Sequence, residues 1–412
     1  MQSLHLFQNH KERFYFLFVV FFISVFNLSL EYNNFFNFTK NEVYNTDVKV
    51  INIYHKNSYD VLKLQNDDIT FFTSIDKNSD IKQLDNLNIY IITSKINFYR
   101  YLKGFYTKSF GITKLKDKKT LQKSLYNYIG SQHKDQTLSS LYSALFLAIP
   151  VQSDLRDIFS TYGISHLIAI SGFHLGVLSV VFYFLLNLIY KPIHQRYIPY
   201  RNKRFDIMVV VGFLLFLYMY LVQTPPSLLR AFVMFIFGFY LLRQNIKLVS
   251  FETLFIVVVT IVSLFPKLLF SLSLWFSVAG VFYIFLFLKY FSTVNRYLQL
   301  IFFNFWIYLA INPIVHHFFD TTSLIQLVSP ILTILFTLFY PITLVLHIFG
   351  IGWVFDSALS FFINLDFNTT QAQTPLWLFV LYLLLSFGSI FSKKTFFVLN
   401  IFLICINITF LV

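Results

Sequence analysis

Serine and histidine side chains that could do chemistry gather in the stretch GISHLIAISGFHLG, residues 163–176. Ser171 and His174 stand three residues apart, and this spacing places them on one face of a helix. A serine beside a histidine base is the nucleophile of many hydrolases. The stretch opens a run without charged residues that ends at Tyr190. Polar groups in a segment bound for lipid are expensive and usually functional, so these residues are candidates for a site.

His166 raises the alternative of a metal site. On a continuous helix, His166 and His174 would lie about 12 Å apart along the axis, whereas each ligand of a zinc ion lies about 2 Å from the metal. No H-E-x-x-H motif occurs in the chain, and its one cysteine, Cys405, lies in an apolar run. The sequence therefore predicts no metal site.

A hydrolase would need more than Ser171 and His174. The chain has no G-x-S-x-G elbow, which positions the serine in one large class of hydrolases, and no carboxylate is well placed to orient the histidine. Gly172 and Gly176 form a G-x-x-x-G pattern, which lets a second helix approach closely. The residues alone leave open a hydrolase, a packing seam with hydrogen bonds to neighbouring helices, and a polar stripe beside a path.

A second polar feature is QTPPSLLRAFVMF, residues 223–235. A tight turn precedes Arg230, which stands about one helical turn into the next span. A charged side chain at that depth either reaches back to the surface or faces a wet interior. The pattern leaves open whether Arg230 snorkels or lines an anion pathway. A weaker feature is the group His316, His317 and Asp320, which is predicted to lie at an outer helix end in the membrane interface.

Composition identifies the surroundings of these residues. Of 412 residues, 57% are hydrophobic and only 12% are charged, whereas soluble domains carry about 25% charged residues. The chain is therefore predicted to be an integral membrane protein. The candidate spans are residues 163–190, 207–223, 226–243, 248–265, 268–288, 298–318, 375–391 and 395–412, with a proline-broken region at 323–350.

Lys and Arg in short loops face the cytoplasm. The strongest cluster, KPIHQRYIPYRNKR, predicts that residues 191–204 are inside and that residues 31–162 are outside. If region 323–350 crossed once, Lys393 and Lys394 would lie outside, against this rule. A segment that enters and returns removes the conflict, and a single kinked helix is the alternative.

The fold class predicted from these patterns is an α-helical polytopic membrane protein with a small N-terminal β domain outside the membrane. Short strands with period 2, bounded by Asn, Asp and Ser, favour an OB-like barrel. The predicted divisions are a transmembrane signal anchor at 1–30, the OB-like domain at 31–110, basic amphipathic linker helices at 111–162 and the polytopic domain at 163–412.

Three segments resemble the ComEC competence family, whose members are inner-membrane DNA uptake channels. HLIAISGFHLG is similar to the family signature H-L-L-A-I-S-G-L-H-V-G. PSLLRAFVMF resembles S-x-x-R-A-x-x-M, here with Ser227, Arg230, Ala231 and Met234. LFSLSLWFSVAGVFYIFLF resembles a later segment that usually carries Gly-Phe where this chain has Ser-Leu. The resemblance covers about residues 140–345. Longer members continue into a metallo-β-lactamase-like domain, and no H-x-H-x-D-H motif of that domain occurs here.

The resemblance implies a channel for single-stranded DNA and no enzymatic activity, cofactor or metal. The implied channel-lining residues are His166, Ser171, His174, Ser227 and Arg230, with Gly172 and Gly176 in helix packing. The chain has no phosphate loop, so the resemblance implies a cytoplasmic helicase-like motor and a periplasmic DNA receptor as partners, beside membrane lipids. Homo-oligomerisation is left open. An intramembrane hydrolase using Ser171 and His174, and a small-molecule transporter, are the alternatives.

A basic stretch at residues 95–134 carries ten Lys and Arg against one acid, with Tyr and Phe interleaved. Cations suit phosphates and aromatic rings stack on bases without sequence preference. A solvated linker, or one attracted to anionic headgroups, is the alternative. With the resemblance, the predicted DNA contacts are Lys95, Arg100, Lys103, Lys108, Lys114, Lys116, Lys118 and Lys119.

Overall fold

The computed structural model describes residues 9–411, except 67–68, 78, 116–119, 169, 223–225, 244–249 and 293–294. The side chains of Pro226, Ser227, Arg230, Arg296, Leu300 and Leu411 also lie outside the description. Within the described part, the chain is mostly helical, and seven helices are long and apolar enough to cross a membrane. An N-terminal β domain accompanies them, so the predicted fold class is confirmed.

Six strands form the β domain, and their alternating burial gives one apolar face. The long first strand pairs antiparallel with the second and the fourth. The short fifth strand pairs parallel with the third strand. The sixth strand pairs antiparallel with the fourth. Residues 105–114, which contain the fifth and sixth strands, therefore pair with both the third and the fourth strand. The sheet order is 5-3-2-1-4-6, and the assignment to an OB-like barrel stays a prediction. The strands are β1 (Val43–His55), β2 (Tyr59–Gln65), β3 (Thr70–Asp76), β4 (Asn86–Ile92), β5 (Phe105–Tyr106) and β6 (Ser109–Lys114).

Helix α1 (His10–Thr39) is longer than the predicted anchor, because its outer end is part of the β domain. Phe38 packs edge-on against Tyr44 and lies against Tyr101 of α2 (Phe98–Lys103), with ring centroids 5.1 and 5.8 Å apart. The sheet likewise continues to Lys114, past the predicted boundary at residue 110. The anchor and the outer domain are therefore one continuous unit.

A series of short helices leads from the β domain to the bundle. The first two form a helical hairpin, α3 (Leu121–Gly130) and α4 (Gln136–Leu147). Gln122 of α3 donates to the Leu147 carbonyl (3.1 Å) and accepts from Lys49 of β1 (2.8 Å), which ties the open end of the hairpin to the sheet. Then follow α5 (Ser153–Thr161) and α6 (Ser165–Ile168).

Two large helical cores and a smaller third cluster build the membrane part among the described residues. The first core joins α4 and α6 to α7 (Gly172–Tyr197), α8 (Lys203–Leu221), α9 (Pro226–Arg243) and α13 (Ser329–Ile348). The second joins α11 (Leu272–Tyr290), α12 (Arg296–Phe318), α15 (Leu376–Gly388) and α16 (Lys393–Leu411). Between them α10 (Phe251–Leu264) runs parallel to α1, with Arg13–Glu252 (3.0 Å) near one end and Lys267–Glu31 (2.7 Å) near the other.

The excursion between α12 and α15 starts and finishes at one place. Strand β7 (Thr321–Thr322) pairs with β8 (Thr370–Gln371), and the amide of Thr374 donates to the His316 carbonyl at the end of α12 (2.9 Å). Between these strands the chain forms α13, a sharp turn at Gly350 and α14 (Asp356–Ile363). Region 323–350 is occupied by one helix, α13, with Pro341 inside it, so the single-helix alternative describes this region. The chain returns to the end of α12 through the residues after Gly350, and whether the segment crosses the membrane stays a prediction.

This return and the charge of the loops predict a membrane topology that thiol labelling can check. In a chain without Cys405, Tyr200→Cys in the 191–204 loop is expected to be protected from a membrane-impermeant thiol reagent added outside, while Gln371→Cys in β8 is expected to react. Both positions are exposed in the fold. Equal protection of Gln371→Cys and Tyr200→Cys in intact cells, with both reacting after lysis, would contradict the topology.

Candidate functional site

The GISH stretch is not one continuous helix, contrary to the predicted span at 163–190. Helix α6 ends at Ile168 and α7 begins at Gly172. The intervening Ser171 has extended backbone (φ −132°, ψ 179°), and its hydroxyl accepts the amide hydrogen of Phe173 at 3.2 Å. A serine at this position satisfies one of the amides that a helix leaves without a partner at its start. The polar residues at the opening of the span therefore begin a helix in its apolar surroundings.

His174 completes the cap from inside the first turn. Its Nδ1 accepts the backbone amide of Ser171 at 3.3 Å, which makes a capping box in which histidine occupies the usual Glu or Gln position. Because Nδ1 accepts this hydrogen bond, a neutral ring carries its hydrogen on Nε2. The Ser171 hydroxyl lies 3.4 Å from the same Nδ1. Ser171 and His174, which were predicted to share a helix face, are therefore the helix cap and its partner in the capping box.

The His174 ring is fully buried against α13. Its ring centroid lies 4.7 Å from that of Tyr340 and 5.4 Å from that of Phe336, both in edge-on contacts. Its Nε2 makes no hydrogen bond of normal geometry to any described residue. A buried polar atom left without a partner costs about 1–3 kcal/mol.

Other buried polar atoms of the first core also lack a hydrogen-bond partner among the described residues. Tyr142 and Ser143 of α4 are fully buried, and their hydroxyls, like that of Ser165 in α6, have no hydrogen-bond partner among the described residues. We call Tyr142, Ser143, Ser165 and His174 the core polar set. Three helices contribute to it, so the first core has an interior that is apolar in packing but retains free hydrogen-bonding capacity.

The two sequence motifs meet at Gly172. A Cβ placed on Gly172 would lie 3.5 Å from Cβ of Ala231 in α9, which is ordinary contact distance. Ala231 follows Arg230 directly, so the GISH stretch and the start of α9 are neighbours. Gly176 differs, since nothing described lies within 4 Å of a Cβ placed there. The close approach proposed for both glycines is thus seen at Gly172. The side chains of Ser227 and Arg230 lie outside the described residues.

The break in the helix also changes the position of His166. His166 is an exposed residue of α6, whereas His174 lies in α7, so the separation of about 12 Å calculated for a continuous helix does not apply. Among the described residues, no group of three or more His, Cys, Asp or Glu side chains is arranged to hold a metal ion.

The predicted DNA contacts fall into three groups. Lys95, Arg100, Lys103 and Lys108 are exposed on the β domain. Lys114 instead forms an ion pair with the buried Asp85 at 2.7 Å, so it has a structural partner. The remaining three lie outside the described part of the chain: Lys116, Lys118 and Lys119.

Sequence reasoning did not single out an aromatic pair on the same domain as the exposed cations. Tyr90 of β4 and Phe110 of β6 are stacked, with centroids 5.6 Å apart and planes within 15°, and they are 38% and 49% exposed. Gly111 has φ +62°, and a Cβ there would lie 2.9 Å from the Tyr90 ring, so the ring needs this glycine. Lys108 is close, because its carbonyl accepts the Ile92 amide (3.3 Å). The period-2 pattern of β4 places Tyr90 on the outward face, and this pattern was the sequence signal that could have identified the pair.

Comparison with family models finds one match, to a model described as "Competence protein", over residues 150–411. The match covers more than half of the chain and includes both motifs that meet at Gly172. Comparisons with curated proteins and with solved structures give no match.

The two glycines provide a matched test of the packing. Gly172→Leu is expected to push α7 from Ala231 and to reduce the amount of folded protein in membranes several-fold, because the contact is already at 3.5 Å. Gly176→Leu is expected to change this amount little. Detergent extraction followed by size-exclusion chromatography measures both. The packing would be contradicted if the two variants lost folded protein equally.

Proposed function

Because the chain belongs to the Competence protein family, which acts in competence and DNA uptake, we propose that it is the channel that carries single-stranded DNA across the bacterial inner membrane during natural transformation. Its several apolar helices make it a multi-pass membrane protein. In this proposal residues 31–162 are periplasmic, and the 191–204 loop is cytoplasmic.

The stacked pair of Tyr90 and Phe110 is the observation that carries the proposal. Exposed aromatic rings among Lys and Arg are what sequence-tolerant binding of single strands requires, since every base has a face that can stack and every phosphate a charge. Such stacking is worth about 1–3 kcal/mol per base. A hydrolase or a small-molecule transporter has no need of this surface.

The core polar set supports a path behind that surface. Polar groups inside a membrane protein commonly mark the route of an ion or substrate. One of them, His174, lies in the first turn of α7, which packs on α9 at Ala231, beside Arg230. We assign the wall of the pathway to His166, Ser171, His174, Ser227 and Arg230. In this assignment the structure represents the closed state of the channel.

Movement of a polyanion across the membrane requires a motor and a protein that delivers the strand. The sequence has no phosphate loop, so the driving force is assigned to a cytoplasmic helicase-like motor. The exposed cations of the β domain are assigned to strand transfer from a periplasmic DNA receptor. The hydrolase alternative is disfavoured because capping accounts for the approach of Ser171 to His174.

The aromatic pair can be tested with a control in the same domain. Tyr90→Ala with Phe110→Ala is expected to weaken single-stranded DNA binding by the purified protein about 5- to 150-fold, as one lost stacking contact of about 1–3 kcal/mol implies. Tyr59→Ala removes an exposed tyrosine that lines a surface pocket with Asp76 and Asp80, and it is expected to bind normally. Fluorescence anisotropy at fixed salt measures this. Equal binding by both variants and the wild type would refute the role of the pair.

Ser171 distinguishes a channel from an enzyme. Ser171→Ala removes a helix cap, at a cost of about 0.5–2 kcal/mol, and DNA uptake is expected to fall several-fold. Ser171→Asn supplies another capping oxygen but no nucleophile, so uptake is expected to return to near the wild-type level. Transformation frequency normalised to membrane protein is the measurement. A complete loss in both variants, with normal insertion, would favour the hydrolase.

A further inference from the structure

The closed end of the α3–α4 hairpin is fastened to the turn after α13. Gln132 makes two of the bonds: its Nε2 donates to the His347 carbonyl (3.1 Å), and its Oε1 accepts the Gly352 amide (2.9 Å). Gly352 has no room for a side chain, since a Cβ there would lie 2.6 Å from Nε2 of His347. The hairpin tip, α13 and the start of α14 thus converge on a small volume.

Three titratable side chains fill that volume. Nδ1 of His133 lies 2.9 and 3.0 Å from the two carboxylate oxygens of Asp356. Nε2 of His133 lies 2.9 Å from Nε2 of His347. Nδ1 of His347 lies 2.7 Å from the Thr343 carbonyl. Both histidines are buried, whereas the Asp356 side chain is 21% exposed.

The number of protons in this chain of contacts can be counted. The Thr343 carbonyl only accepts, so Nδ1 of His347 carries a hydrogen. A carboxylate at Asp356 likewise requires a hydrogen on Nδ1 of His133. If both rings were neutral, their Nε2 lone pairs would then face each other at 2.9 Å. If both were charged, two N–H groups would collide. One proton beyond the neutral rings, shared across the Nε2 pair or passed to Asp356, satisfies every contact.

We propose that His133, His347 and Asp356 form a proton-binding site whose single bound proton holds the α3–α4 hairpin against α13 and α14. The partly exposed Asp356 is the route by which the proton exchanges with solvent. The site shares no residue with the pathway wall or with the DNA-binding surface proposed above, and Tyr142 of the core polar set packs on both of its histidines.

The remaining titratable groups around the site do not replace this proton. Tyr142 of α4 stacks on the His133 ring, with centroids 4.7 Å apart. Burial, followed by the charge of Asp356, raises the pKa of Tyr142, so its hydroxyl stays neutral. Lys134 and Asp135 beside the hairpin tip are exposed, as is Tyr128, whose hydroxyl donates to the Ile348 carbonyl (3.5 Å). Solvent stabilises the charges of Lys134 and Asp135.

Docking depends on pH in a defined way, because the docked state holds one proton on the histidine pair. Free histidines titrate near pH 6.5. Above that pH the released hairpin binds fewer protons than the docked one, so docking weakens as pH rises. Below it the released histidines bind two, so docking weakens as pH falls. Each full proton of difference changes the docking equilibrium about tenfold per pH unit.

The experiment is hydrogen–deuterium exchange of the full-length protein in nanodiscs from pH 5 to pH 9, corrected for intrinsic exchange. Protection of the amides in α3 and α4 is expected to peak near pH 6.5 and to fall by up to about tenfold per pH unit on either side. Peptides from β1 to β4 report any general loss of structure. A protection that stays constant from pH 7 to pH 9 in the wild type overturns the proposal.

Asp356→Asn tests the proton count itself. The asparagine amide donates to Nδ1 of His133, whose Nε2–H then donates to His347, so every contact is satisfied without the extra proton. The alkaline fall in protection is expected to disappear in this variant and to remain in Asp135→Asn, which removes an exposed acid from the same hairpin and keeps a capping side chain. An alkaline fall in Asp356→Asn equal to that of the wild type refutes the site.

Discussion

Hydrocarbon offers no hydrogen bonds, so every backbone amide and carbonyl at membrane depth must find a partner within the protein. The break between α6 and α7 is where this constraint is hardest to meet. Ser171 and His174 meet it by accepting the amides that the start of α7 leaves open. Protein covers the break as well, because α13 lies against His174. Irregular backbone is tolerated here because it is capped and enclosed.

The β domain is fastened to the bundle at several points and is therefore held at a fixed position. Helix α1 continues from the membrane into the β-domain core. Tyr99 of α2 packs edge-on against Phe270, which precedes α11, with centroids 5.3 Å apart. Lys267 lies over the Tyr101 ring and pairs with Glu31. A strand bound at β4 and β6 would be presented to the bundle by a rigid support.

Sequence periodicity was sufficient for the elements whose signals are local. The predicted spans at 226–243 and 298–318 agree closely with α9 and α12, since long apolar runs determine such helices on their own. The break between α6 and α7 was missed because a capping box with histidine in place of Glu or Gln is a weak signal within an apolar run. Lys114 was assigned to DNA because its partner Asp85 is distant in sequence.

Long-range contacts account for the other differences. The contacts of His316 and His317 had no local signal, since His316 packs on Phe410 of α16 and His317 stacks on Phe379 of α15, at 4.4 and 4.2 Å between centroids. Their predicted place in the membrane interface stays a prediction. The pairing of β7 with β8 involves two residues on each side and has no local signal. Charge in the loops predicted a returning segment because it reports on the side of the membrane rather than on pairing, and that side stays a prediction.

The amides that join α12 to α16 have a consequence for biogenesis. Asn312 donates to Asn407 at 2.7 Å and Trp306 donates to Asn400 at 2.8 Å, and the first pair is separated by 95 residues of sequence. At translation rates of about 5–20 residues per second, Asn312 leaves the ribosome roughly 5 to 20 s before Asn407. During that interval α12 must keep a polar amide in or near the bilayer without its mate. The insertion machinery or the already assembled helices have to shelter it, so the second core closes as a late step of synthesis.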